Sequence, residues 1–167
     1  KLWMVTGTPE KILDLGAGVN PFSVPLMGLD LELEKLEYYA YDISESEMES
    51  VQLFCDYLHR LNSKFKGHAE VLDVLHFAQL QRLRNVDVCF LFKMTDVLDQ
   101  GRGHKVTEQV VKMVPAHFVV LSFATKTMSG KTMTAPRRPW VEWMCNRLGY
   151  SYEILEIENE IFYIIKK

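Results

Sequence analysis

The sequence predicts an α/β fold: a mostly parallel seven-stranded sheet with helices on both faces and a terminal antiparallel hairpin. Three observations predict it. Apolar, β-rich runs alternate with segments of helical periodicity along most of the chain. A glycine turn, Gly16-Ala17-Gly18, follows the first apolar run and precedes a helix start. Residues 151–157 and 160–166 alternate in polarity and are separated by little more than Glu158-Asn159, the pattern of a hairpin.

Each element has its own justification. Residues 1–10 are a lead-in, with Leu2, Trp3 and Met4 ahead of a turn-rich Thr6-Gly7-Thr8-Pro9. Residues 12–15 form the first strand; Asn20 is suited to capping the next helix and Pro21 to its first turn. That helix has only about two turns, because Pro25 cannot donate to the Pro21 carbonyl and Gly28 ends the run. A tyrosine-rich second strand spans 37–42. Ser44 and Glu47 have capping-box spacing, and Met48, Val51, Phe54, Cys55, Leu58 and Leu61 share one helical face. A third strand is expected at 67–73 and a short helix at 77–83. The nearly unbroken apolar run 86–92 suits a central strand covered on both faces. A helix over 105–114, a strand over 117–123 and an unusually long loop over 124–136 follow. Pro139 opens the last helix, with Val141, Met144, Cys145 and Leu148 on one side, and Gly149 closes it.

Composition bounds the function. The chain has 167 residues, 48% of them hydrophobic and 25% charged, consistent with one domain spanning 1–167. Its net charge of -3 gives no global attraction to a polyanion, so any nucleic-acid contact must be a local cluster of Lys and Arg. Cys55, Cys89 and Cys145 are widely spaced in apolar runs, as reduced core thiols of an intracellular, cytoplasmic protein would be. No apolar run reaches membrane-spanning length, and the five histidines have no metal-ligand spacing. Neither a membrane nor a metal partner is expected.

Function is expected at the carboxyl ends of the strands, where open α/β sheets bind ligands. There the sequence supplies Asp14 with Gly16 and Gly18, then Asp42 with Ile43, then Asp73 with Val74, and then Lys93-Met94. An isolated Asp after a strand is commonly a turn residue. Three acidic strand ends in order behind Asp-x-Gly-x-Gly favour a site. Pro21 occupies the third glycine position of the dinucleotide fingerprint, whereas an acidic residue just before Gly-x-Gly resembles the first motif of S-adenosylmethionine (SAM) methyltransferases. With SAM as ligand, Asp42, 24 residues after Gly18, suits the ribose hydroxyls. Asp73 and the Val74 N–H suit adenine, Gly16 and Gly18 admit the amino-acid end, and Lys93 suits its carboxylate.

A second constellation is basic. Between Phe123 and Trp140 stand Lys126, Lys131, Arg137 and Arg138 with no acidic residue, and Arg102, His104 and Lys105 project from the same sheet edge. An isolated charge run is commonly a solvated loop; two converging runs suit RNA phosphates. Trp140 and Trp143 are candidates for stacking on a base, one of them being better suited to the core.

Leu13-Asp14-Leu15-Gly16-Ala17-Gly18-Val19-Asn20-Pro21-Phe22, with Pro25-Leu26-Met27-Gly28 behind it, is similar to the first motif of the aminoglycoside-resistance 16S ribosomal RNA guanine-N7 methyltransferases. The resemblance extends to Tyr41-Asp42-Ile43, Leu91-Phe92-Lys93-Met94 with Leu98-Asp99, Ser122-Phe123-Ala124-Thr125-Lys126-Thr127, and Glu158-Asn159-Glu160-Ile161-Phe162-Tyr163-Ile164-Ile165. It implies a Rossmann-like class I methyltransferase fold, SAM as cofactor with S-adenosylhomocysteine as product, and ribosomal RNA or the 30S subunit as partner. It also implies that Gly16, Gly18, Asp42, Ile43, Asp73, Val74 and Met94 line the SAM pocket and that Lys126 lies on the RNA side. Two departures stand out: Ala124 where the family has Pro, and Thr132-Met133-Thr134-Ala135-Pro136 in place of a Lys-Gly-Met stretch. Family members carry an amino-terminal helical region that helps bind the ribosome, and this chain begins about where their catalytic domain starts.

The Lys93-Met94-Thr95-Asp96 strand end lacks the Asn-Pro-Pro-Tyr pattern of amino-group methylation. Methylation of a small molecule or protein, and SAM binding without catalysis, remain as alternatives.

Overall fold

The structure, a computed structural model, describes residues 1–29, 35–101, 103–127 and 129–167. One seven-stranded sheet organises them, in the order β3-β2-β1-β4-β5-β7-β6. Its strands are β1 (Lys11–Leu15), β2 (Leu36–Asp42), β3 (Phe65–Val71), β4 (Val86–Phe92), β5 (Ala116–Ala124), β6 (Ser151–Ile157) and β7 (Glu160–Lys166). The first five run parallel, and β7 pairs antiparallel with both β5 and β6. This is the expected mostly parallel sheet with a terminal hairpin. The 86–92 run is the middle strand, and Val88, Cys89, Phe90 and Leu91 are buried on alternating faces.

Two cores explain the two-sided burial. On one face Leu13, Leu15, Cys89, Leu91, Val119 and Leu121 pack with helices α5 (Lys105–Met113) and α6 (Pro139–Leu148). On the other, Ile12, Tyr38, Ala40, Val88, Phe90 and Val120 pack with helix α2 (Glu45–Leu61) through Met48, Val51, Cys55 and Leu58. The three cysteines are free and buried, and burial pushes each thiol up, to about 11 for Cys55 and Cys145.

Several expectations need correction. Asn20 does not cap the helix that follows β1: this element is a 3-10 helix, Asn20–Leu26, with Val19 at its cap, and the Asn20 side chain turns inward. Pro25 inside this helix accounts for its tight, short form. Ser44 stands at the α2 cap without a side-chain cap bond. The reciprocal half of a capping box is pre-empted, because the Ser44 N–H donates to Asp42 Oδ1 at 3.1 Å. The third strand lies two residues earlier than expected. Its register on β2 pairs Phe65 with Leu36, and position 67 takes glycine because the Cys55 side chain occupies the space a Cβ would fill. Asp73 therefore lies beyond the strand. The short helix after it, α3, covers only Phe77–Leu80, and two further short helices, α1 (Leu2–Thr6) and α4 (Thr95–Asp99), had no periodicity strong enough to announce them.

Candidate functional site

The parallel strands bring their carboxyl ends to one edge, and there lies a cleft of about 390 Å³. Six residues singled out in the sequence line it: Gly16, Asp42, Ile43, Asp73, Val74 and Met94. The structure does not bring Asp14, Gly18 or Lys93 to its walls.

The floor is set by the glycine turn. Gly16 and Ala17 donate their N–H groups to the Tyr41 carbonyl at 2.8 and 3.0 Å, tying the turn to the end of β2. Gly16 has φ +69°, and a Cβ there would run into the Met94 side chain, so both backbone conformation and space demand glycine. Around Gly18, at φ +48°, the Cβ direction is open. The Gly18 N–H donates to Asp42 Oδ2 at 3.0 Å, so Asp42 bridges the turn and the start of α2. Each Asp42 oxygen thus has one protein donor and keeps lone-pair capacity for a ligand.

Asp14 stands behind the turn, 1% exposed. Its Oδ2 accepts from the Tyr38 hydroxyl at 2.6 Å and from Asn20 Nδ2 at 2.9 Å. Burial pushes its carboxyl up to about 6, against the lowering effect of the Tyr38 and Asn20 bonds. The Tyr38-Asp14-Asn20 group fixes the entry to the 3-10 helix from below. Asp73 Oδ1 accepts the Leu75 N–H at 2.9 Å, and the Asp73 carbonyl accepts from His76 at 2.9 Å, a compact turn that presents the carboxylate beside Val74. Lys93, in the left-handed region at φ 56°, extends its ammonium to Glu160 at 2.5 Å, linking the end of β4 to the start of β7.

The basic constellation divides. Arg138 is spent within its own loop: its guanidinium donates to the Pro136 carbonyl at 2.6 Å and stacks over Phe123 at 5.1 Å. Arg137 pairs with Glu142, at 2.8 Å through Nη2. Lys105, Lys126 and Lys131 are exposed and, among the described residues, enter no ion pair. Arg102 lies outside the described residues.

Sequence reasoning missed part of the wall. Leu72, Leu75, Val97, Leu98 and Gln100 also line the cleft. Helix α4 supplies three of these positions or their flank, and its brevity hid it. Tyr38 was missed as the partner of Asp14, though an Asp inside an apolar strand demands a donor. No helix among the described residues is long and apolar enough to cross a membrane, and no group of three or more His, Cys, Asp or Glu is gathered there as a metal site.

The profile of the ribosomal RNA methyltransferase (FmrO) family matches residues 1–164. The chain belongs to this family. Curated relatives called 16S rRNA (guanine(1405)-N(7))-methyltransferase include one from Frankia casuarinae, 28% identical over 162 residues, covering 96% of this chain and 53% of the relative. Another, from Micromonospora rosea, is 30% identical over 95% of this chain and 54% of its own length. The chain therefore spans about half the length of these relatives. Among solved structures, the 16S rRNA methylase ArmA superposes with a TM-score of 0.68 at 26% identity, covering 99% of this chain and 78% of that one. The methyltransferase domain of bacterial CtHen1 superposes at 0.72 with 18% identity, covering 99% and 95%, which speaks to the shared fold.

Within this rRNA methyltransferase family member, two segments distant in sequence meet. The Thr125 N–H donates to the Asn159 carbonyl at 2.7 Å, joining the Thr-Lys segment after β5 to the hairpin tip. The tip, the Lys93-Glu160 pair and the cleft thus share one edge of the sheet.

Proposed function

We propose that this chain is a SAM-dependent RNA methyltransferase domain that methylates guanine N7 in small-subunit ribosomal RNA. The observation that carries the reading is the cleft at the strand ends, where Gly16, Asp42, Asp73 and Met94 meet in a chain of an rRNA methyltransferase family. Its residues fit SAM. A volume of about 390 Å³ lies in the range of small-molecule sites. Asp42 retains acceptor capacity for ribose hydroxyls. Asp73 and the Val74 N–H offer an acceptor and a donor to adenine, between the apolar Leu72, Val74 and Leu98. The close approach of backbone at Gly16, the glycine of the turn that lines the cleft, suits the amino-acid end.

SAM supplies a methyl group on a sulfonium, an electrophile that no side chain of this protein needs to activate. Guanine N7 carries an unprotonated lone pair, so no general base is required. The protein contributes binding, in-line positioning and exclusion of water. That division of labour agrees with a cleft that, among the described residues, is lined by no His-Asp or Cys-His pair. The exposed Lys126 and Lys131 meet phosphates of the substrate RNA. A ribosomal substrate puts the reaction in the cytoplasm.

The test is transfer of label from SAM to isolated 30S subunits by the full-length protein, mapped by N7-specific cleavage. Label on a guanine N7 of the small-subunit RNA is the expected result. Label at another atom, or on no RNA, overturns the reading.

A further inference from the structure

A second groove, of about 300 Å³, lies between the first turn of α5 and the outer side of α6. Trp143 stands on its rim with 72% of its surface exposed. An indole so exposed gains nothing for the core, which takes Val141, Met144 and Cys145 from the same helix. Trp140, one turn earlier on the same helix, also lines the groove and stacks on His104 with centroids 3.9 Å apart and planes 3° from parallel. Arg147 and Glu108 form an ion pair across the groove, joining the two helices, and Lys105 stands beside it without an ion pair among the described residues.

The His104 ring is held in place from the direction of the SAM cleft. Asp99, 4% exposed, accepts from the Thr107 N–H at 3.0 Å, from the Thr107 hydroxyl at 2.8 Å, and faces His104 Nδ1 at 3.2 Å. Its neighbours Leu98 and Gln100 line the cleft. One short helix therefore carries a wall of the cleft and also sets the ring that stacks on Trp140. Both α5 and α6 begin at the carboxyl edge of the sheet, and α6 follows directly on the loop that carries Lys126 and Lys131.

We propose that this groove is a second RNA subsite, taking an unpaired nucleotide of the substrate by stacking its base on Trp143 and holding a phosphate with Lys105. The proposal rests on the RNA-methyltransferase reading. An aromatic plate beside a lone cation suits a nucleotide, because a base offers a π-face and its phosphate a negative charge about one side chain away. A protein partner would cover the indole with apolar surface, yet the groove around it carries Lys105, Glu108 and Arg147.

The test compares the full-length wild type with Trp143→Ala, Trp143→Phe and Lys105→Ala. Methyl transfer is followed as a function of 30S concentration, binding to a protein-free 16S RNA fragment by filter retention, and SAM affinity by calorimetry. Trp143→Ala is expected to raise KM for the RNA roughly ten-fold and to weaken fragment binding equally, with SAM affinity and melting temperature unchanged. Trp143→Phe should restore most of the loss, and Lys105→Ala should weaken binding with a shallower salt dependence. An unchanged KM in Trp143→Ala overturns the proposal. So does a Trp143 effect seen with 30S subunits and absent with protein-free RNA, which assigns the groove to a ribosomal protein. A wild type that binds the fragment through Trp143 but transfers no methyl group sinks the parent reading and leaves the subsite standing.

Discussion

The acidic strand ends and the basic loop share one edge of the sheet and are built in opposite ways. At the strand ends, Asp42 and Asp73 are held by backbone N–H groups, which fix the carboxylates and leave lone pairs available. In the loop after β5, Arg137 and Arg138 are consumed by Glu142 and by loop carbonyls, and only Lys126 and Lys131 remain exposed and unpaired among the described residues. A carboxylate fixed by main chain is preorganised for a ligand. An arginine bonded by its own loop is a structural tie. The difference separates a cleft with fixed acceptors from a surface with few fixed charges.

The largest effect that sharpens this contrast belongs to Asp14, the acidic residue of the opening motif that is buried rather than presented. Its carboxyl is raised from near 4 to about 6, so the native state holds a proton that the unfolded chain has released. Its contribution to stability is complete below about pH 4 and is lost as pH rises through about 6, a fall on the order of 3 kcal/mol. Denaturant unfolding from pH 4 to 7 should show this decline, and Asp14→Asn should flatten it. An equal slope in the variant removes Asp14 as the cause.

Gly16→Ala comes next. The left-handed backbone and the Met94 side chain both oppose a Cβ, so stability should fall by about 2 kcal/mol and SAM affinity at least roughly ten-fold. Urea unfolding with calorimetry measures both, and a variant that binds SAM normally means the turn is not the cofactor floor. Asp42→Ala, which removes two backbone ties and the proposed ribose acceptor, should weaken SAM by about 1 to 3 kcal/mol. Lys126→Ala and Lys131→Ala are the mildest: each should leave SAM affinity intact and reduce the salt dependence of RNA binding by about one phosphate contact. Arg138→Ala, by contrast, should lower the melting temperature, because its guanidinium joins the Pro136 carbonyl to Phe123.

Much of the fold was legible because its signals are local and repeated. The 86–92 run, the Pro139 and Gly149 boundaries and the 151–157 and 160–166 hairpin follow from apolar runs and turn chemistry, and the structure has them at those residues. The gathering of Gly16, Asp42, Asp73 and Met94 was legible because parallel topology alone brings strand ends together. What escaped depends on tertiary pairing. Nothing local says that Asn20 turns inward to Asp14, that Lys93 meets Glu160, or that Asp99 anchors His104. Helix α4 escaped because five residues carry too little periodicity to distinguish from a loop.

The measurement that bears most directly on the contrast is a crossed kinetic comparison in the full-length protein. KM for SAM and KM for 30S subunits are determined for Asp42→Ala and for the double variant Lys126→Ala with Lys131→Ala, in the same labelled transfer assay. The account predicts that the first raises KM for SAM alone and the second raises KM for the RNA alone. A double variant that weakens SAM, or an Asp42 variant that weakens RNA binding without touching SAM, contradicts it.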